Sequence, residues 1–221
     1  MHQTTTDPVS TAPTSPALPH AEGDQPDVLH RILDPDVNLS LWHRPAQWEI
    51  TQELSILQPS HLPDVRCWTS PASFDEDVSV LLQQQDLDPL AFQNWRIDLR
   101  RLVERFFGIT EGRDVTLRLE TTEDDGCRRF HVDRTHLRLL CTYRGPGTEW
   151  LTDAQVDRVA QANGAPNDCI IRFGEPSQFR QFTVGILKGD AYPGNAGHGL
   201  VHRSPQIAGS GQTRVLFCLD C

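Results

Sequence analysis

At Gly112 the hydrophobic spacing of this chain changes from three- and four-residue steps to two-residue steps, and that switch restricts the fold more than any other feature. Before it, Val78, Leu81 and Leu82, then Leu90, Trp95, Leu99, Leu102, Val103 and Phe106 recur as one helix face would, interrupted at Asp88-Pro89. The spacing predicts two consecutive helices within residues 74–108, with Gly108 as the C-terminal stop. Arg96, Arg100, Arg101 and Arg105 fill the polar arc of the second, as a solvated face would. After the switch, residues 115–120, 129–133, 137–143, 181–188, 200–203 and 213–220 are short β-branched or alternating runs separated by Gly, Pro and Asp. Helices followed by many short strands predict an α+β chain with a barrel or sandwich at its centre.

The remaining segments attach to that centre. Residues 1–27 are rich in Thr, Ser, Pro and Asp and poor in large apolar side chains, so burial cannot offset the entropy of ordering them; a disordered tail is expected. Residues 28–110 are expected to form a mostly helical segment packed outside a core at residues 111–221. Within the segment, residues 37–44 begin with strand-like alternation and residues 48–57 have helical spacing. A helical stretch at 153–162 and the turn Asn163-Gly164-Ala165-Pro166-Asn167 read as an insertion between two halves of the strand region.

Composition removes several function classes. Thirty acidic against twenty basic residues give a formal charge of -10, which repels a phosphate backbone and argues against nucleic acid as a partner. No run approaches the roughly 18 apolar residues of a membrane helix, and the first residues lack the order of a secretory signal; a cytoplasmic protein is expected. Six cysteines are too sparse for a disulfide scaffold and fit reduced thiols. There is no phosphate-cradling loop, nucleophile elbow or dinucleotide fingerprint.

Metal chemistry remains. In Phe130-His131-Val132-Asp133, strand alternation would project His131 and Asp133 to one side, where both reach one ion. A His-Asp hydrogen-bonded pair at a strand end is the plainer alternative. A third ligand is expected at His202, which follows a Gly-rich loop within the apolar Leu200-Val201-His202; His198 lies among the glycines, and His136 falls on the opposite face of an unbroken strand. Two imidazoles and a carboxylate on one face of a metal leave positions open for other ligands. Cys218 and Cys221 have the spacing of half a zinc site or a redox pair, yet a continuing strand points them to opposite faces. Cys127 and Cys141 flank the dyad and could add soft ligands, though inert thiols are equally natural there.

At His131, Asp133, His202 and Arg214 the chain resembles the Fe(II)/2-oxoglutarate-dependent dioxygenases of the cupin superfold, over residues 115–220. The resemblance implies a double-stranded β-helix, a jelly-roll core with the helices outside. It implies Fe(II) on His131, Asp133 and His202, and Arg214 on the last strand pairing with the distal carboxylate of 2-oxoglutarate, a task suited to a planar guanidinium fork. The implied activity is hydroxylation of an unknown substrate. Lys188, the only lysine, and the hydroxyls of Thr142 and Tyr143 could add cosubstrate contacts, although Lys188 could instead reach water and Tyr143 could line the barrel wall. Five arginines between Arg128 and Arg144 hint at an anionic substrate; Arg138 and, beside the distal histidine, Arg203 are candidate substrate contacts.

The segments HVDRTHLRLLCTYRGPGTEWL and ILKGDAYPGNAGHGLVHRSP also resemble a bacterial family of unknown function encoded near zinc-responsive metallochaperone genes. That resemblance sets zinc beside iron and implies a metallochaperone GTPase as a partner. Two other functions follow from the same triad: a non-catalytic zinc-binding protein in zinc homeostasis, and a cupin-type hydrolase or isomerase that uses no oxygen.

Overall fold

The computed structural model describes residues 20–221; most of the expected tail therefore lies outside the described residues. Ten strands form two sheets: β1 (His20–Gly23), β2 (Leu39–Trp42), β3 (Val65–Thr69), β4 (Val115–Thr122), β5 (Leu137–Arg144), β6 (Glu149–Trp150), β7 (Ser177–Gln178), β8 (Val184–Lys188), β9 (His202–Arg203) and β10 (Arg214–Asp220). The larger sheet has the order β1-β2-β8-β5-β10-β4-β3, antiparallel except for the β1-β2 pair. The smaller, antiparallel sheet has the order β7-β6-β9. Helices α1 (Trp48–Leu54), α2 (Phe74–Gln84) and α3 (Gln93–Thr110) precede β4, and the short α4 (Arg158–Ala162) and α5 (Asn167–Ile170) fall between β6 and β7. The chain is a mixed α/β protein built on a large, mostly antiparallel sheet.

Period two sorts the large sheet's side chains into two environments. Leu117 and Leu119, Leu139, Cys141 and Tyr143, Val184 and Ile186, and Val215, Phe217 and Leu219 face the helices, packing with Trp95, Leu99, Leu102 and Phe106 of α3 in the main core. The residues between them, Leu140, Leu187, Leu216 and Cys218, face the other way and pack with Leu39 and Leu41 against Trp150 of the smaller sheet, Phe179 and Leu200. The helix side also buries one ion pair: Arg44 donates to both oxygens of Asp98 at 2.7 and 2.8 Å, and the Tyr143 hydroxyl donates to the same carboxylate at 2.6 Å.

Several expectations change. Three strands of the large sheet, β1, β2 and β3, come from residues 20–69, so residues 28–110 are no separate helical layer and residues 111–221 alone would lack both sheet edges. Part of the expected tail, residues 20–27, holds β1 and the start of a 3-10 helix, Pro26–Leu33. Strand β2 falls within the strand-like residues 37–44 and α1 within 48–57, whereas the edge strands β1 and β3, of four and five residues, are too short for periodicity to announce. Helix α3 runs through Gly108 and stops at Thr110, where Glu111 and Gly112 take positive φ of 53° and 78°. Residues 129–133 are no strand; His131 makes one isolated bridge, to His202.

Candidate metal centre

That bridge places the first two candidate ligands. The His131 N–H donates to the His202 carbonyl and the His202 N–H donates to that of His131, both at 3.0 Å, so the two residues are directly opposite and their side chains share a side. Their ring centroids lie 4.6 Å apart. Each Nδ1 meets a backbone carbonyl two residues upstream, His131 that of Arg129 at 2.9 Å and His202 that of Leu200 at 3.0 Å. With the protons on Nδ1, both Nε2 lone pairs are free for an ion, the tautomer a metal ligand requires. Burial pushes the pKa of His202 down to about 4, so it is neutral at pH 7.

Asp133 supplies the third candidate ligand from a loop. Its main chain is braced by the Asp190 N–H, which donates to the Asp133 carbonyl at 2.8 Å. The bracing needs Gly189: any Cβ there would run into the carbonyl oxygens of Thr135 and Asp133. Asp133 Oδ1 lies 2.8 Å from Arg138 Nη1 and 3.7 Å from His131 Nε2, while Oδ2 lies 3.3 Å from His202 Nε2. Oδ2 is buried and accepts no hydrogen bond. An orphaned carboxylate oxygen facing an imidazole lone pair is costly unless a cation sits between them. Ligand atoms of His131, Asp133 and His202 all lie within 4.8 Å of one another, the one such group among the described residues. The donor set fits a divalent transition metal.

His131 and His202 open into a cavity of about 260 Å³ between the sheets, where Thr148, Arg203, Arg214 and Leu216 also form the wall. Arg214 is 3 % exposed, and burial lowers its pKa to about 10. Its guanidinium donates to the Pro146 carbonyl at 3.1 Å, Thr148 Oγ1 at 2.9 Å and Thr142 Oγ1 at 3.4 Å. Among the described residues no carboxylate forms an ion pair with it; Glu120 of the same wall favours its charge from a distance and is itself engaged by Arg118 at 2.9 Å. Thr148, which the sequence reading missed, lies in a loop where no periodicity marks it.

Other expected site residues stand elsewhere. Thr142 faces the cavity; Tyr143, one residue on, faces the helices and bonds Asp98, so it is no cosubstrate contact. Lys188 alternates with Val184 and Ile186 onto the helix side, where its ammonium donates to the Asp34 carbonyl at 2.8 Å over the Tyr192 ring, away from the cavity. Arg138 and Arg203 line the cavity, but both are engaged: Arg138 with Asp133 and Asp220, Arg203 with Glu149 at 2.6 Å and over Phe130. Both guanidiniums are thus held by carboxylates of the chain itself. Cys141 and Cys218 are buried on opposite faces of the sheet, and Cys127 lies on the cavity wall. His198 and His136 are outside the triad.

The fold has a known counterpart. Dioxygenase for auxin oxidation 1 from Arabidopsis thaliana, solved as a 2-oxoglutarate binary complex, is similar over 92% of this chain and 91% of that one, with a TM-score of 0.51 at 11% identity. At that identity the likeness establishes a shared fold. AviO1 from Streptomyces viridochromogenes Tue57 (TM-score 0.44, 10% identity, 88% and 93% coverage) and a Pseudomonas putida prolyl-4-hydroxylase (0.38, 10%, 87% and 95%) are more distant matches. By sequence the chain belongs to the family described as "Protein of unknown function (DUF1826)", whose model matches residues 23–220. No curated protein matches it.

Proposed function

We propose that this protein is an Fe(II)- and 2-oxoglutarate-dependent oxygenase on a double-stranded β-helix, the two sheets forming its walls. The observation that carries the reading is Arg214: a buried guanidinium without an ion-paired carboxylate, in the same cavity as His131 and His202. A dicarboxylate with one end at the metal and the other at Arg214 would supply the missing counter-ion, with the Thr142 and Thr148 hydroxyls beside it. The fold shared with a 2-oxoglutarate-binding dioxygenase supports the same reading.

His131, Asp133 and His202 would hold the iron, and the cavity wall would bind the substrate. Bound iron would supply the redox step, in which O2 is reduced, 2-oxoglutarate is converted to succinate and CO2, and the substrate gains a hydroxyl group. The chain's own residues do the rest. The two Nδ1–H bonds keep both imidazoles oriented with Nε2 toward the ion, and Leu140 and Leu216 limit water on the wall. A zinc-binding role uses the same triad and has Cys127 on the cavity wall in its favour, but it gives Arg214 no task.

An anaerobic optical titration of metal-free protein with Fe(II) and then 2-oxoglutarate tests the proposal. A visible charge-transfer band is expected that disappears in His131→Ala and in Arg214→Ala. Tight zinc binding without any such band, and indifference to 2-oxoglutarate, would sink the oxygenase reading and favour zinc handling.

A further inference from the structure

We infer that Arg138 and Asp220 form a positioning bridge behind the metal centre, which presents Asp133 to a divalent ion through Oδ2 alone. The inference rests on the metal-binding reading of the triad. Asp133 lies in no strand, so nothing in regular backbone pairing fixes its side chain. A carboxylate on a loop can offer a metal one oxygen or two. Here Arg138 engages Oδ1 at 2.8 Å, and Oδ2 is left buried and unpartnered beside His202.

Arg138 is itself held. Its Nη2 donates to Asp220 Oδ2 at 3.0 Å and its Nε donates to Oδ1, a two-bond fork. Register explains the pairing: Asp220 of β10 lies directly opposite Arg138 of β5, two inner strands of the seven-stranded sheet, and the side chains of both share one face. The bridge thus ties a loop ligand to a rigid part of the fold. Charge gives Asp220 a second task. A lone guanidinium next to a dication would repel it, whereas Asp220 neutralises Arg138 and leaves the cluster that includes Asp133 net negative. All three side chains are well shielded, at 8% exposure for Asp133 and 15% for each of the others, so these interactions are little weakened by solvent.

A merely structural role would lower stability without altering coordination, so the test reads coordination. Metal-free full-length protein is titrated with Co(II), whose visible d–d absorption reports ligand geometry, and thermal melts are recorded on the same samples. Wild type is expected to bind one Co(II). Arg138→Met is expected to bind about 10- to 100-fold more weakly with an altered spectrum, and Arg138→Lys to recover part of the affinity. Asp220→Asn keeps the side-chain shape and should weaken binding in the same direction, which carries the test if Arg138→Met does not fold. Unchanged affinity and spectrum in Asp220→Asn and in folded Arg138→Met would overturn the bridge and leave the triad standing. Failure of wild type to bind Co(II), or unchanged binding by Asp133→Ala, would instead remove the metal site on which the bridge depends.

Discussion

The two faces of the large sheet each bury an arginine, and they treat it in opposite ways. On the helix side, burial works against the charge of Arg44, yet the Asp98 carboxylate bonded to it outweighs that cost and holds its pKa above the ordinary arginine value. On the cavity side, burial dominates and pulls Arg214 down to about 10. The first charge is closed off by a bidentate carboxylate and a tyrosine hydroxyl; the second has a carbonyl and two threonine hydroxyls. A closed network serves the fold, because every group already has its partner. An open one is a standing cost that a ligand can relieve, as is the unpartnered Asp133 Oδ2 beside His202.

The largest expected effect breaks the closed side. Asp98→Ala strands the Arg44 charge and should lower the unfolding free energy by about 3–5 kcal/mol, read by urea denaturation, while the folded fraction still binds metal. The open side should respond the other way. An arginine pKa of about 10 in place of 12.5 corresponds to roughly 3 kcal/mol of unfavourable burial. Arg214→Met should therefore keep or raise the melting temperature of the ligand-free protein, yet weaken 2-oxoglutarate binding by at least about 100-fold by calorimetry. A stability loss like that of Asp98→Ala would show that Arg214 is structural and erase the contrast.

Smaller effects sharpen it. Tyr143→Phe removes one hydrogen bond to a buried carboxylate and should cost about 1.5–3 kcal/mol with 2-oxoglutarate affinity unchanged. An affinity change instead would place Tyr143 in the site after all. Lys188→Met loses one bond to a backbone carbonyl and the contact with Tyr192, a cost of about 1 kcal/mol by thermal melting, again without effect on the cosubstrate.

Much of the site was legible in the chain because it is written in residue types with restricted chemistry. Motif order singles out His131, Asp133, His202 and Arg214, and the apolar run at His202 holds a side chain where the glycines around His198 do not. Less legible was which hydroxyl faces the cavity. Thr142 and Tyr143 adjoin, so one strand must send them to opposite faces, and period two alone does not say which face is which. Asp220 lies an even number of residues from Arg214 and hence on its face, but nothing in the sequence pairs it with Arg138. That pairing depends on the register between β10 and β5.

The sequence by itself determined the local quantities: helix before strand, the alternation within each strand, the ligand types and their order along the chain. These depend on neighbours a few residues apart and are therefore visible in one dimension. Tertiary structure alone decided that β1, β2 and β3 extend the large sheet, that Lys188 and Tyr143 turn to the helices, and that Arg44 meets Asp98 whereas Arg214 meets no carboxylate. Each outcome depends on which distant strand or helix packs alongside, and a charge is closed or open according to what that packing brings within about 3 Å of it.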